Sequence, residues 1–151
     1  MARLEDIIEA LELQIEEYSS FLDLENGEVQ TVSDRLLGAA DDGEKPEFDE
    51  WEKDEWDVAK RIISTPDRFL ALPSKFDVHE WEIMQDFAAS VTSARIREDL
   101  LDAIHGGGAF RRFKNGVRYH GVEKKWFEFR SQALRQIAID WCEENKISWT
   151  E

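Results

Sequence analysis

Three glycines, Gly106, Gly107 and Gly108, run into a cluster of bases, Arg111, Arg112, Lys114 and Arg118. This is the stretch whose residue types and spacing could hold a charged ligand. Free backbone N–H groups at a helix start and the positive end of the helix dipole attract anions, and guanidinium groups add charge-assisted hydrogen bonds. Gly106 and Gly108 could thus let the backbone close around a phosphate or carboxylate. The same residues have a plainer use, because glycine tolerates positive φ and ends helices. The turn is then a C-cap and a tight connection between two helices, with the bases forming a solvated face. Short glycine motifs recur by chance, so the plainer use is the favoured one.

Nothing else in the chain carries a catalytic signature. His79, His105 and His120 sit in separate segments, and none has the H-E-x-x-H or paired-cysteine spacing of a metal site. No G-x-S-x-G, Walker or Rossmann fingerprint occurs. The single cysteine, Cys142, has no partner for an internal disulfide and no sequence cue for a base, so a buried or half-buried, inert thiol is expected. No catalytic residue, metal ligand or cofactor is assigned, and an enzyme is the less favoured class.

The elements that must position the basic cluster follow from apolar spacing. Phe110, Phe113 and Val117 recur at steps of three and four, predicting a short helix with those groups on one face. Arg111, Asn115 and Arg118 share another face, flanked by Arg112 and Lys114. A long helix is predicted from about 122 to 145, where Trp126, Phe129, Ala133, Ile137 and Trp141 form an apolar stripe widened by Leu134 and Ala138. Upstream, Leu4, Ile7, Ile8, Leu11, Ile15 and Tyr18 predict a first helix over residues 3–18. Asn26-Gly27 predicts a type I′ hairpin with strands at about 20–25 and 28–32, in which Leu24 faces Val29 and Leu22 faces Thr31. A lone hairpin is marginal in water, and residues 68–72 are the candidate third strand. Residues 34–47 read as a mobile acidic loop. Phe48, Trp51, Trp56, Ala59, Ile62 and Ile63 then predict a helix over about 48–64, ended before Pro66. Asp77 and Glu80 look like the cap of a helix over 78–92 with a buried stripe of Trp81, Met84, Phe87, Ala88 and Val91. Ser93 caps the next, which buries Ile96, Leu100, Leu101 and Ile104.

Charge is the global feature with functional content. The 151 residues carry a net charge of −15. Residues 41–57 hold ten acids against two lysines, a local −8, whereas the chain from His105 onward holds nine bases against six acids, a local +3. The remaining residues, 1–104, therefore sum to −18. Such a molecule repels nucleic acid and anionic membranes at long range, and only the local basic face could overcome this at short range. The simplest use of the two signs is internal, with the acidic segment lying against the basic helix. A second is regulatory, the acidic segment shielding the face until a partner displaces it. No apolar run approaches the roughly 18 to 20 residues of a membrane span, and the N-terminus is too acidic and too periodic for a signal peptide. A cytoplasmic location is expected. With 42% hydrophobic residues, six Trp and nine Phe, one ordinary core is within reach, and a single globular domain over 1–151 is the expectation.

The hairpin FLDLENGEV, the segment RFLALPSKFDVHEWEIMQDF, the run AIHGGGAFRRFKNGV and the later WFEFRSQALRQIAIDWCEENKI resemble the bacterial family UPF0158. The resemblance runs from about Glu5 to Trp149, and its most specific part is the run from Gly106 through Ala109, Phe110, Arg111, Arg112 and Phe113 to Lys114. The middle position, Gly107, is the loose one in that pattern, which weighs against a three-glycine phosphate loop. The resemblance implies no activity, cofactor or catalytic residue.

The expected architecture is α+β and predominantly helical, with five to six helices and a small β-hairpin or three-stranded antiparallel sheet. The expected function is a non-catalytic protein-interaction module that presents Arg111, Arg112, Lys114 and Arg118 to an acidic protein surface. The alternative is a nucleic-acid-associated regulator using the same face, against which the net charge works. A small enzyme or anion-binding protein at Gly106 and Gly108 is the third.

Overall fold

A computed structural model describes residues 1–13, 15–75 and 77–151. Its contacts resolve two compact units, one formed by residues 1–74 with 138–151 and the other by residues 75–137.

The first unit begins with β1 (Ala2–Arg3), which pairs in parallel with β5 (Trp149–Thr150), and continues into α1 (Leu4–Leu13). Leu4, Ile7 and Leu11 are buried as their spacing predicts. The helix is shorter than expected. Gln14 lies outside the described residues, Glu17 takes a positive φ of 66°, and Tyr18 already belongs to the next strand, so Ile15 and Tyr18 are exposed.

Strands β2 (Tyr18–Asp23), β3 (Val29–Ser33) and β4 (Phe69–Ala71) form an antiparallel sheet in the order β3-β2-β4. The third strand is where the sequence placed it. The hairpin register is not: Leu22 pairs with Val29 and Ser20 with Thr31. A type I′ turn needs positive φ at both central residues, but of the Asn26-Gly27 pair only Gly27 has it, at 77°. Side chains set the wider turn instead. Asp23 Oδ1 accepts from Glu25 N at 3.0 Å, Asn26 Oδ1 accepts from Glu28 N at 2.8 Å, and Gly27 N donates to the Asp23 carbonyl at 2.8 Å.

Residues 34–42, expected to lie in a loop, form α2 (Asp34–Asp42), and this raises the helix count among the described residues from the expected five or six to seven. The reason is local. Ser33 caps the helix by accepting from Arg35 N and Leu36 N, and the Gly43 N–H turns back to the Ala39 and Ala40 carbonyls. After a 3-10 turn at Glu50–Glu52, α3 (Lys53–Ser64) buries Trp56, Ala59 and Ile62. Val32, Ile62 and Phe69 form one apolar cluster, and Leu36, Trp56 and Ala59 another.

A buried ion pair closes the sheet. Asp23 is fully buried, and both its oxygens accept from Arg68, Oδ1 from Nε at 2.9 Å and Oδ2 from Nη2 at 2.8 Å. The Arg68 hydrogen bond holds the Asp23 carboxyl below the usual carboxylate range, against a burial that would raise it.

The second unit contains α4 (Glu80–Ser90), α5 (Ala94–Ala103), α6 (Ala109–Tyr119) and the first part of α7 (Glu123–Glu144), whose residues from Ala138 onward belong to the first unit. The expected Asp77 cap is not where α4 starts: its N-cap is His79, in a left-handed conformation with no side-chain cap bond. Ser93 does cap α5, accepting from Ile96 N at 3.4 Å. The core is aromatic. Phe113 and Trp126 have ring centroids 4.8 Å apart, and Phe87 lies 5.5 Å from Trp126 and 5.4 Å from Phe129. In α7, Trp126, Leu134, Ala138 and Cys142 are buried. Burial pushes the Cys142 thiol pKa up, with the Glu143 charge adding to the effect, as an inert thiol requires.

Candidate basic-helix contact site

The turn before α6 is held from both sides. Upstream, the Trp81 indole N–H donates to the Ile104 carbonyl at 2.9 Å and its ring stands edge-on to His105. Downstream, the Arg112 guanidinium donates to the His105 carbonyl. Gly106 and Gly108 have φ of 82° and 73°, conformations that glycine takes without a Cβ penalty, and Gly108 is the N-cap of α6. Gly107 has no positive φ and nothing within 4 Å of where a Cβ would stand, which agrees with its being the loose position of the motif.

Packing then decides which way α6 faces. Phe113 and Val117 are buried, and Gly116 lets α5 approach: a Cβ there would stand 2.9 Å from Leu100 Cδ2. At about 100° per residue this anchoring aims Arg111, Lys114 and Arg118 away from the core on one contiguous face. All three are exposed. Arg118 approaches Glu123 at 3.4 Å, but among the described residues Arg111 and Lys114 make no ion pair. Arg112 lies on a different side and is committed to the turn. The four bases grouped by the sequence are thus two free charges, one shared charge and one structural guanidinium.

Phe110 corrects the expected apolar face. It is 51% exposed, because it lies at the edge of the buried arc in the first turn of the helix, beside Lys114 and Arg111. Spacing alone could not separate it from Phe113. Flanking bases do not separate them either, since Phe113 stands between Arg112 and Lys114 and is fully buried.

The histidines do structural work or stand apart. His120 Nε2 lies 3.0 Å from Asp99 Oδ2, joining the end of α6 to α5, with the imidazole 10% exposed. Arg130 pairs with Glu80 in the same unit. Such contacts join residues far apart in sequence, and no spacing signals them. No group of three metal-ligating side chains occurs among the described residues, and none of the described helices is long and apolar enough to cross a membrane.

The acidic segment has its own scaffold in the first unit. Arg35 donates to the Glu47 carbonyl at 2.9 Å and to Glu52 Oε2 at 2.6 Å, Asp49 N donates to Glu52 Oε1 at 3.2 Å, and Lys60 pairs with Asp57 at 3.5 Å. Trp51, expected in the buried stripe of a helix, is 75% exposed. It falls in the 3-10 turn, where a 3.6-residue period does not apply, and its indole donates to Asp49 Oδ2 at 3.1 Å.

These features define a small, mainly helical α+β protein that presents a basic helix on a strongly acidic chain. The chain matches the model of the uncharacterised protein family UPF0158 over residues 1–151, and it belongs to that family. A relative, UPF0158 protein PA5073 of Pseudomonas aeruginosa, is 26% identical over 87 residues, which is 57% of this chain and 57% of the length of that protein. No solved structure matches.

Proposed function

We propose that this is a non-catalytic, cytoplasmic interaction module that docks an acidic protein surface on α6 through Arg111, Lys114 and Arg118, with Phe110 as the apolar anchor. One observation carries the reading: in a chain of net charge −15, Arg111 and Lys114 remain exposed and, among the described residues, without ion partners. A fold that gains nothing internally from two cations has them free for something else. An aromatic side chain next to arginine is also the composition that contributes most at protein interfaces. The net charge repels any acidic partner and weighs most against nucleic acid, whose phosphate charge density exceeds that of an acidic protein surface. Gly106 and Gly108 serve the turn in this reading, and Arg112 holds it closed.

The test is affinity capture from a bacterial lysate with wild type and with the Arg111→Glu/Lys114→Glu variant, after circular dichroism confirms that both are folded. A protein retained by wild type and lost by the variant is the expected result. Nucleic acid lost in its place transfers the face to the regulator reading. Identical eluates refute the contact face.

A further inference from the structure

The geometry points to a second copy of this chain as a partner for the α6 face, through the acidic turn that carries Trp51. This rests on the reading of α6 as a contact face and names what that face holds.

The two surfaces match in kind. On one, Arg111, Lys114 and Arg118 are exposed along α6, with the half-exposed Phe110 about one turn from Lys114. On the other, the Glu47, Glu50 and Asp54 carboxylates are exposed and, among the described residues, make no ion pair, and they lie within four residues of Trp51, which is 75% exposed. Each surface therefore offers an excess of one charge near an unburied aromatic, with opposite signs, the exposed Lys53 between Glu50 and Asp54 reducing the acidic excess. An exposed Trp has no use in the core of its own unit, and at interfaces Trp and Arg are the residues that dominate binding energy.

The acidic surface is also held in shape before any partner arrives. Arg35 fastens the Glu47 carbonyl and the Glu52 carboxylate, and the Trp51 indole is tied to Asp49. A preordered surface loses little conformational entropy on docking. The overall repulsion between two chains of −15 is screened beyond about 8 Å at physiological ionic strength, whereas touching opposite charges are screened far less. Because the two surfaces differ, the contact is head-to-tail, and it propagates unless geometry closes it into a ring.

The experiment is sedimentation velocity over a concentration series reaching about 0.5 mM, since a small polar contact is weak. Wild type should rise in average mass by about 1.5-fold or more, as mass action requires. The Arg111→Glu/Lys114→Glu and Glu50→Lys/Asp54→Lys variants should each stay monomeric. Mixed in equal amounts, they should associate again, because each copy keeps one intact surface and the two reversed surfaces carry opposite charges. Trp51→Ala, which removes the aromatic without changing charge, should also lose association. Wild type that remains monomeric, variants that still associate, or a mixture that stays monomeric each overturns the inference. If wild type stays monomeric while lysate capture still depends on Arg111 and Lys114, the choice of partner fails and the contact face stands. If capture is also indifferent to the variant, both fail.

Discussion

Replacing Gly116 with alanine should destabilise the protein, although the same change in a free helix would stabilise it. Alanine exceeds glycine in helix propensity by about 0.8 to 1.0 kcal/mol, and Gly116 lies within α6. The added Cβ would stand 2.9 Å from Leu100 Cδ2, inside the roughly 3.5 to 4.0 Å at which carbon atoms attract. Leu100 is fully buried, so its methyl can give way only by displacing close-packed neighbours. Overpacking of this kind costs about 1 to 3 kcal/mol, which leaves a net loss of about 1 kcal/mol after the propensity gain. Leu100→Ala removes the obstructing methyl and costs about 2 to 5 kcal/mol by itself. In that background Gly116→Ala should change sign and recover about 1 kcal/mol. The coupling between the two sites is then about 2 kcal/mol, within reach of a double-mutant cycle. Urea unfolding followed by far-ultraviolet circular dichroism measures all four proteins. If Gly116→Ala has the same sign in both backgrounds, Gly116 is not the contact that seats α6 on α5, and the orientation assigned to Arg111 and Lys114 loses its support.

Gly27→Ala should be strongly destabilising, because its φ of 77° disfavours a side chain and the Cβ would stand 2.4 Å from the Met1 carbonyl oxygen, a backbone atom; thermal unfolding should record a loss of several degrees, and an unchanged Tm would refute the close approach. The Asp23 carboxyl titrates lower in the folded chain than its ordinary value of about 3.9, so its pairing with Arg68 contributes stability that is complete above that value and is lost as pH falls through the lower folded-state pKa. Acid unfolding should therefore be flatter below pH 4 in Asp23→Asn than in wild type, from a lower starting stability, and parallel curves would contradict the assignment. Cys142, buried and with its thiol pKa raised, should react with iodoacetamide at pH 8 more than tenfold more slowly in the native protein than in urea, and equal rates would place the thiol at the surface.

Much of the scaffold is legible in the residues. The buried positions Trp56, Ala59 and Ile62 of α3 and Leu100 of α5, the third strand ended by Pro73 and the break at the glycines follow from apolar period and from backbone preferences of Gly and Pro, which act over a few residues. Ile96 and Leu101 of the expected α5 stripe are only half-buried. Two local errors have local causes. The helix at Asp34–Asp42 was hidden by acidic composition and two glycines, although Ser33 supplies a sound cap. The hairpin register was set by Asp23 and Asn26 side chains, not by the Asn-Gly pair alone.

The candidate site divides along the same line. Sequence by itself determined the family motif, the concentration of bases on one short helix, the acidic character of residues 41–57 and the absence of a recognised catalytic signature. Tertiary structure decided which of those charges are free. Arg112 is turned onto the His105 carbonyl, Arg118 approaches Glu123, and Arg111 and Lys114 are left to solvent, while Phe110 and Trp51 emerge from apparent core stripes. The reason is physical: residue type sets charge and local backbone preference, but exposure and pairing depend on which distant groups arrive beside a side chain, and here the close contact at Gly116 and the bonds that hold the glycine turn settle that.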